Sequence, residues 1–182
     1  LDLFGSVRSL PVEGKPDRQL AKATGSFLPV SDSLILDIDA YKVPLQFLQP
    51  YLETFIPAYT ALGSGHIRVA GPMKKIGVET RAFVEDASLT VGFINTTYSF
   101  SDSIFVTPQY VAFRNVKVTD KEGNTGVVDG LLKHDYFKNM ETQIDITVNR
   151  MMAMNLPATP NALFYGTAYA TGTVNISGPQ NN

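Results

Sequence analysis

Apolar and polar side chains alternate with a period of two along most of this chain. In Leu34-Ile35-Leu36-Asp37-Ile38-Asp39-Ala40 every even position is apolar, while two of the three odd ones are Asp. Residues 143–149 and 173–177 alternate without a break, Val116-Lys117-Val118-Thr119 is a shorter case, and residues 87–93 put their four odd members on one face. Successive side chains of a strand point to opposite faces, so each segment has one oily side and one wet side. That is the pattern of antiparallel or solenoid-like sheets, not of a parallel sheet covered on both faces. The period breaks once. From Pro44 to Leu62, apolar residues fall at Leu45, Leu48, Leu52, Phe55, Ile56 and Tyr59, mostly three or four apart. This stripe predicts a short helix over 44–62, kinked where Pro50 and Pro57 lack a backbone donor and closed by Gly63-Ser64-Gly65.

The stretch Thr119-Asp120-Lys121-Glu122-Gly123-Asn124-Thr125-Gly126 separates two apolar-rich runs and reads as a hairpin loop. Asp120, Glu122 and Asn124 also alternate as calcium ligands would. The EF-hand spacing, however, needs Gly at its sixth position and Glu at its twelfth, which here hold Thr125 and Leu131. A repeat is also present. Gly65-His66-Ile67-Arg68-Val69-Ala70-Gly71-Pro72 matches Gly172-Thr173-Val174-Asn175-Ile176-Ser177-Gly178-Pro179 in a G-x-[IV]-x-[IV]-x-G-P pattern, with a looser echo in Gly126-Val127-Val128-Asp129-Gly130-Leu131. Each unit is a short strand with one apolar face, ended by Gly and a Pro that cannot continue a ladder. Such repeats suggest an elongated sheet built from similar units.

At these residues a family resemblance emerges. Residues 164–179, Phe-Tyr-Gly-Thr-Ala-Tyr-Ala-Thr followed by the second repeat, resemble the C-terminal region of the TamB family, the AsmA-like inner-membrane components of translocation and assembly modules. Tyr98-Ser99-Phe100-Ser101-Asp102-Ser103-Ile104, residues 120–130 and His134-Asp135-Tyr136-Phe137 follow that family's order of segments. The likeness covers nearly the whole chain and is most specific from 89 to 179. It implies a fragment of a large, inner-membrane-anchored envelope protein extending through the periplasm, folded as a long curled sheet (a β-taco) with an apolar interior. It also implies phospholipid transport toward the outer membrane, and protein assembly and secretion with an outer-membrane barrel partner of the TamA or BamA type. Membrane association would come from parts of the protein outside this piece. The start at Leu1, with no initiator Met, fits such a piece.

Composition fits the same picture. The 182 residues carry 15 Lys and Arg against 17 Asp and Glu, a net charge of −2 that leaves no electrostatic footprint for nucleic acid. Charged residues make up 18%, below the usual ~25%, as follows if one strand face must stay oily. With no Cys there are no disulfides or thiolate metal sites, and no run of about 18 apolar residues spans a bilayer as a helix.

Strands with one oily face must cover it with a second layer or a ligand. Phospholipid acyl chains are one answer, and the candidate lining is Leu34, Leu36, Ile38, Leu89, Val91, Phe93, Ile144, Ile146, Val148, Val174 and Ile176. The competing architecture is a closed β-sandwich or barrel binding carbohydrate or a protein partner, with Tyr165 and Tyr169 as sugar-stacking aromatics opposite Gly166, Ala168 and Ala170. No catalytic residue, cofactor or metal ligand is nominated. His66 falls on the wet face of its strand, opposite Ile67 and Val69. His134 has Asp135 beside it but no activated Ser or Cys, and Asp37 and Asp39, about 7 Å apart, read as an outer face.

Overall fold

The computed structural model describes residues 1–8, 18–49, 56–136, 138–160 and 163–179. Ten strands follow one another: β1 (Asp2–Arg8), β2 (Gln19–Leu28), β3 (Ser33–Pro44), β4 (Ala58–Pro72), β5 (Gly77–Val91), β6 (Thr96–Val106), β7 (Tyr110–Asp120), β8 (Thr125–Asp135), β9 (Lys138–Leu156) and β10 (Gly166–Pro179). They form a single sheet in sequence order, each strand antiparallel to the one before. Among the described residues β1 and β10 are its two edges and do not pair with each other, so the sheet is open. The mainly β, open-sheet expectation holds; the closed sandwich or barrel does not.

Of the helix expected over 44–62, Gln49 is helical, residues 50–55 lie outside the described residues, and the part from Ala58 onward is strand instead. Pro44 ends β3, Leu45–Leu48 makes a single 3-10 turn, and Ala58 already begins β4. Tyr59 is paired with Leu89, and Leu62 with both Pro44 and Glu85. Leu52 and Phe55 lie outside the described residues. The helical spacing misled because β4 turns small residues inward: Ala61 and Gly63 occupy the alternate positions after Tyr59, and neither registers as part of an oily strand face. One 3-10 turn is enough to place Leu45 against Ala61, Val84 and Ala87. The Tyr59 hydroxyl fixes that turn by donating to the Leu45 carbonyl at 2.5 Å.

A second regularity was invisible in the sequence. Lys42, Asp86, Asn115 and Arg150 all have left-handed backbones, with φ of 50°, 51°, 52° and 49°. They sit in β3, β5, β7 and β9, one per hairpin, where the pairing register shifts. Each exposes a backbone N–H that donates to a side-chain oxygen on the following strand. Lys42 bonds Ser64 Oγ at 2.8 Å, Asp86 bonds Ser101 Oγ at 3.0 Å, Asn115 bonds Asp129 Oδ2 at 2.9 Å, and Arg150 bonds Thr171 Oγ1 at 2.9 Å. A bulge bends its strand and increases the local twist, so one per hairpin curls the whole sheet. The two G-x-[IV]-x-[IV]-x-G-P repeats start one residue after Ser64 and Thr171. They are the second strands of equivalent hairpins.

The curl brings strands together that are not neighbours. The Tyr98 hydroxyl on β6 donates to the Met152 carbonyl on β9 at 2.7 Å, and Asn95 Nδ2 donates to the Asn155 carbonyl at 2.7 Å. Two small cores form on the inner face. One holds Ala61, Val84 and Ala87; the other holds Val116, Val118 and Met151; Phe100 packs against both.

Candidate functional site: the inner apolar face

Residues directly opposite in a ladder share a face. Register therefore traces one row across eight strands: Ile38, Ile67, Thr80, Val106, Val111, Leu132, Thr142 and Gly178. Leu34 and Leu36 lie beside Ile38 on this face, opposite Phe27 and Gly25 of β2 and Gly71 and Val69 of β4. At the other flank Ile144 stands between Gly130 and Ile176, Ile146 between Val128 and Val174, and Val148 between Gly126 and Gly172. Leu89 lies between Tyr59 and Tyr98, and Val91 opposite Thr96. Ten of the eleven candidate residues are thus strand residues of one apolar face. Phe93 is the exception: β5 stops at Val91, and Phe93 falls in the 3-10 turn Gly92–Ile94 with 71% of its surface exposed.

Burial along this face is uneven. The middle is closed by the curl, where Val84, Ala87 and Val116 are buried. The flanks stay open. Leu34, Leu36, Ile38, Ile144, Ile146 and Val148 are only half-buried, and Val174 and Ile176 are 50% and 46% exposed. Asp102 is opposite Val84 on the same face, and its Oδ1 accepts the next residue's N–H at 2.7 Å. Ile67, Val69, Tyr98, Phe100 and Phe113 belong to the face although they were not singled out. The serines separating Tyr98, Phe100 and Ile104 made that strand's alternation readable.

The outer face carries the charged clusters, with apolar residues such as Ile35, Phe83 and Phe105 among them. His66 Nδ1 lies 2.8 Å from Asp39 and Nε2 lies 3.5 Å from Asp37, which also sits 3.6 Å from Arg68. The hydrogen bond with Asp39 raises the His66 pKa above its ordinary value, against slight desolvation. Lys42 pairs with Glu85 at 2.8 Å, and Phe105 lies between the guanidinium groups of Arg81 and Arg114. His66 is therefore a surface ion-pair residue, as its wet-face position implied.

The remaining candidates for chemistry are structural. The Asp120 carboxylate is filled by N–H donors inside a hairpin turn, and no cluster of metal-ligating side chains occurs among the described residues. His134 is buried at the end of the apolar face, and burial lowers its pKa. Tyr169 donates to both carboxylate oxygens of Glu122 at 2.8 Å, so it is tied to the β7–β8 hairpin instead of forming a free stacking platform with Tyr165. No family model, curated relative or solved structure matches the chain.

Proposed function

We propose that the inner face holds phospholipid acyl chains, as one segment of an apolar conduit in a TamB-like envelope protein. The observation that carries this reading is the largely apolar inner face whose flanks remain half-exposed. An acyl chain laid along it gains roughly 0.8 kcal/mol per methylene buried, while the open side leaves the headgroup in water. Leu, Ile and Val side chains would hold such chains without distinguishing them. The segment is non-enzymatic in this reading. It works in the periplasm within an inner-membrane-anchored protein, and it supports outer-membrane protein assembly and secretion alongside a barrel of the TamA or BamA type. The test is a photo-crosslinking residue at Ile146 and, separately, at Val91, followed by lipid detection. Lipid adducts at Ile146 are expected; crosslinks only within the chain at both positions would overturn the proposal.

A further inference from the structure

Asp102 places a carboxylate on the apolar face. It alternates along β6 with Phe100, Ile104 and Val106, and its ladder partner is Val84 of β5, which is 7% exposed. Phe100 and Ile104, on either side of it, pack against the Ala61, Val84 and Ala87 core. Asp120 and His134, also on this face, lie at strand ends and are buried. Asp102 instead stands mid-strand and half-buried, away from both edges, with five strands on one side of β6 and four on the other. Its Oδ1 accepts the Ser103 N–H at 2.7 Å. Among the described residues Oδ2 accepts no hydrogen bond, and no cation pairs with the carboxylate.

A carboxylate among apolar side chains resists anything that strips its water. Acyl chains laid along Ile104, Val106, Ile67 and Ile38, all half-buried on this face, would dry it, and only a cation offsets that loss. Phospholipids differ in what they bring. A phosphoethanolamine headgroup carries a primary ammonium, a compact positive charge with three N–H donors. A phosphoglycerol headgroup brings only a further negative charge, which Asp102 repels. We infer that Asp102 selects the headgroup class: its Oδ2 receives the primary ammonium of an amine-bearing phospholipid whose chains lie on the β3–β6 flank. The inference rests on the lipid reading and adds to it. Leu, Ile and Val side chains hold chains without distinguishing them, whereas one charge among them distinguishes headgroups.

The test uses vesicles of equimolar phosphatidylethanolamine and phosphatidylglycerol, a photo-reactive residue at Ile67, and mass spectrometry of the adducts. Phosphatidylethanolamine adducts should exceed phosphatidylglycerol adducts about fivefold, the worth of one solvent-accessible ion pair. Asp102→Asn keeps an oxygen for the Ser103 N–H and removes the charge, so this variant should give both adducts equally with the total undiminished. Should it fail to fold, the wild-type protein decides: phosphatidylethanolamine acetylated on its nitrogen has no ammonium and should lose the advantage over phosphatidylglycerol. Equal adducts in the wild type, a preference that survives Asp102→Asn, or one that survives acetylation would overturn the inference and leave the lipid reading in place. No adduct with either lipid, at Ile67 or at Ile146, would overturn both.

Discussion

Asp120, at the end of β7, is 4% exposed, and its carboxylate accepts the backbone N–H groups of Glu122 and Asn124 at 2.9 Å and of Met152 at 2.8 Å, with Asn124 Nδ2 at 3.0 Å. Burial alone would raise its pKa. The hydrogen bonds from Met152, Asn124 and Glu122 outweigh that and hold it below the ordinary carboxylate value. A carboxyl depressed in the folded state contributes stability above its unfolded pKa of about 3.9, and loses it as pH falls through the folded value. Asp120→Ala should therefore cost about 3 kcal/mol in urea unfolding, because it orphans buried donors. Asp120→Asn should flatten the acid limb of the stability curve below about pH 4. The hairpin around Asp120 was legible from its turn residues; the bond to Met152, 32 residues away, was not, because only the curl brings them together. The two histidines offer a control by NMR titration. His66 should titrate above about 6.5 and return toward it in Asp39→Asn, whereas His134 should titrate below. The signs differ: the His66 contribution is present at low pH and fades as pH rises through its raised pKa, while burial of neutral His134 costs stability as pH falls below about 6.5.

At the scale of strands and hairpins, each of these bulges must satisfy one N–H, and Gly65 and Gly130 must admit a neighbouring strand. Gly130→Ala has to displace the backbone of β9, so unfolding measurements should show a loss above about 3 kcal/mol. Gly172→Ala meets only the cost of a left-handed backbone, about 1 kcal/mol. Thr171→Val keeps the shape of its side chain but removes the acceptor for the Arg150 N–H, and about 1 kcal/mol should be lost. The strands themselves were readable wherever Leu, Ile or Val alternated with polar residues, as in β3 and β9. They were misread where the inward positions are small, as at Ala61 and Gly63 in β4. The bulges left no recognisable signal because Lys, Asp, Asn and Arg share no side-chain chemistry; what they share is a backbone conformation. The repeated glycines were visible, but the caps before them, Ser64 and Thr171, were not, since their role depends on a strand folded alongside.

At the scale of the whole sheet, one face serves both as core and as open surface, and a single type of substitution separates the two. Val116 is 2% exposed beneath the curl, where it packs with Val118 and Met151. Arg at that position has no route to water, and an unpaired buried charge costs several kcal/mol, so Val116→Arg should fail to give a cooperative thermal transition. Ile146 lies on the same face between Val128 and Val174, the latter half exposed at the edge. A guanidinium on its long stem can reach solvent along that open flank, so Ile146→Arg should keep its far-ultraviolet circular dichroism and a cooperative melt. It should also abolish lipid crosslinking at a photo-reactive residue placed at Val174, because a cation now stands where acyl chains would lie. The sparse charge of the chain has the same origin: Asp37, Asp39, His66, Arg68 and Arg81 gather on the outer face, where they pair with one another, with an aromatic ring or with water. If Ile146→Arg unfolded as completely as Val116→Arg, the face would be a sealed core from end to end, and no lipid could lie along it.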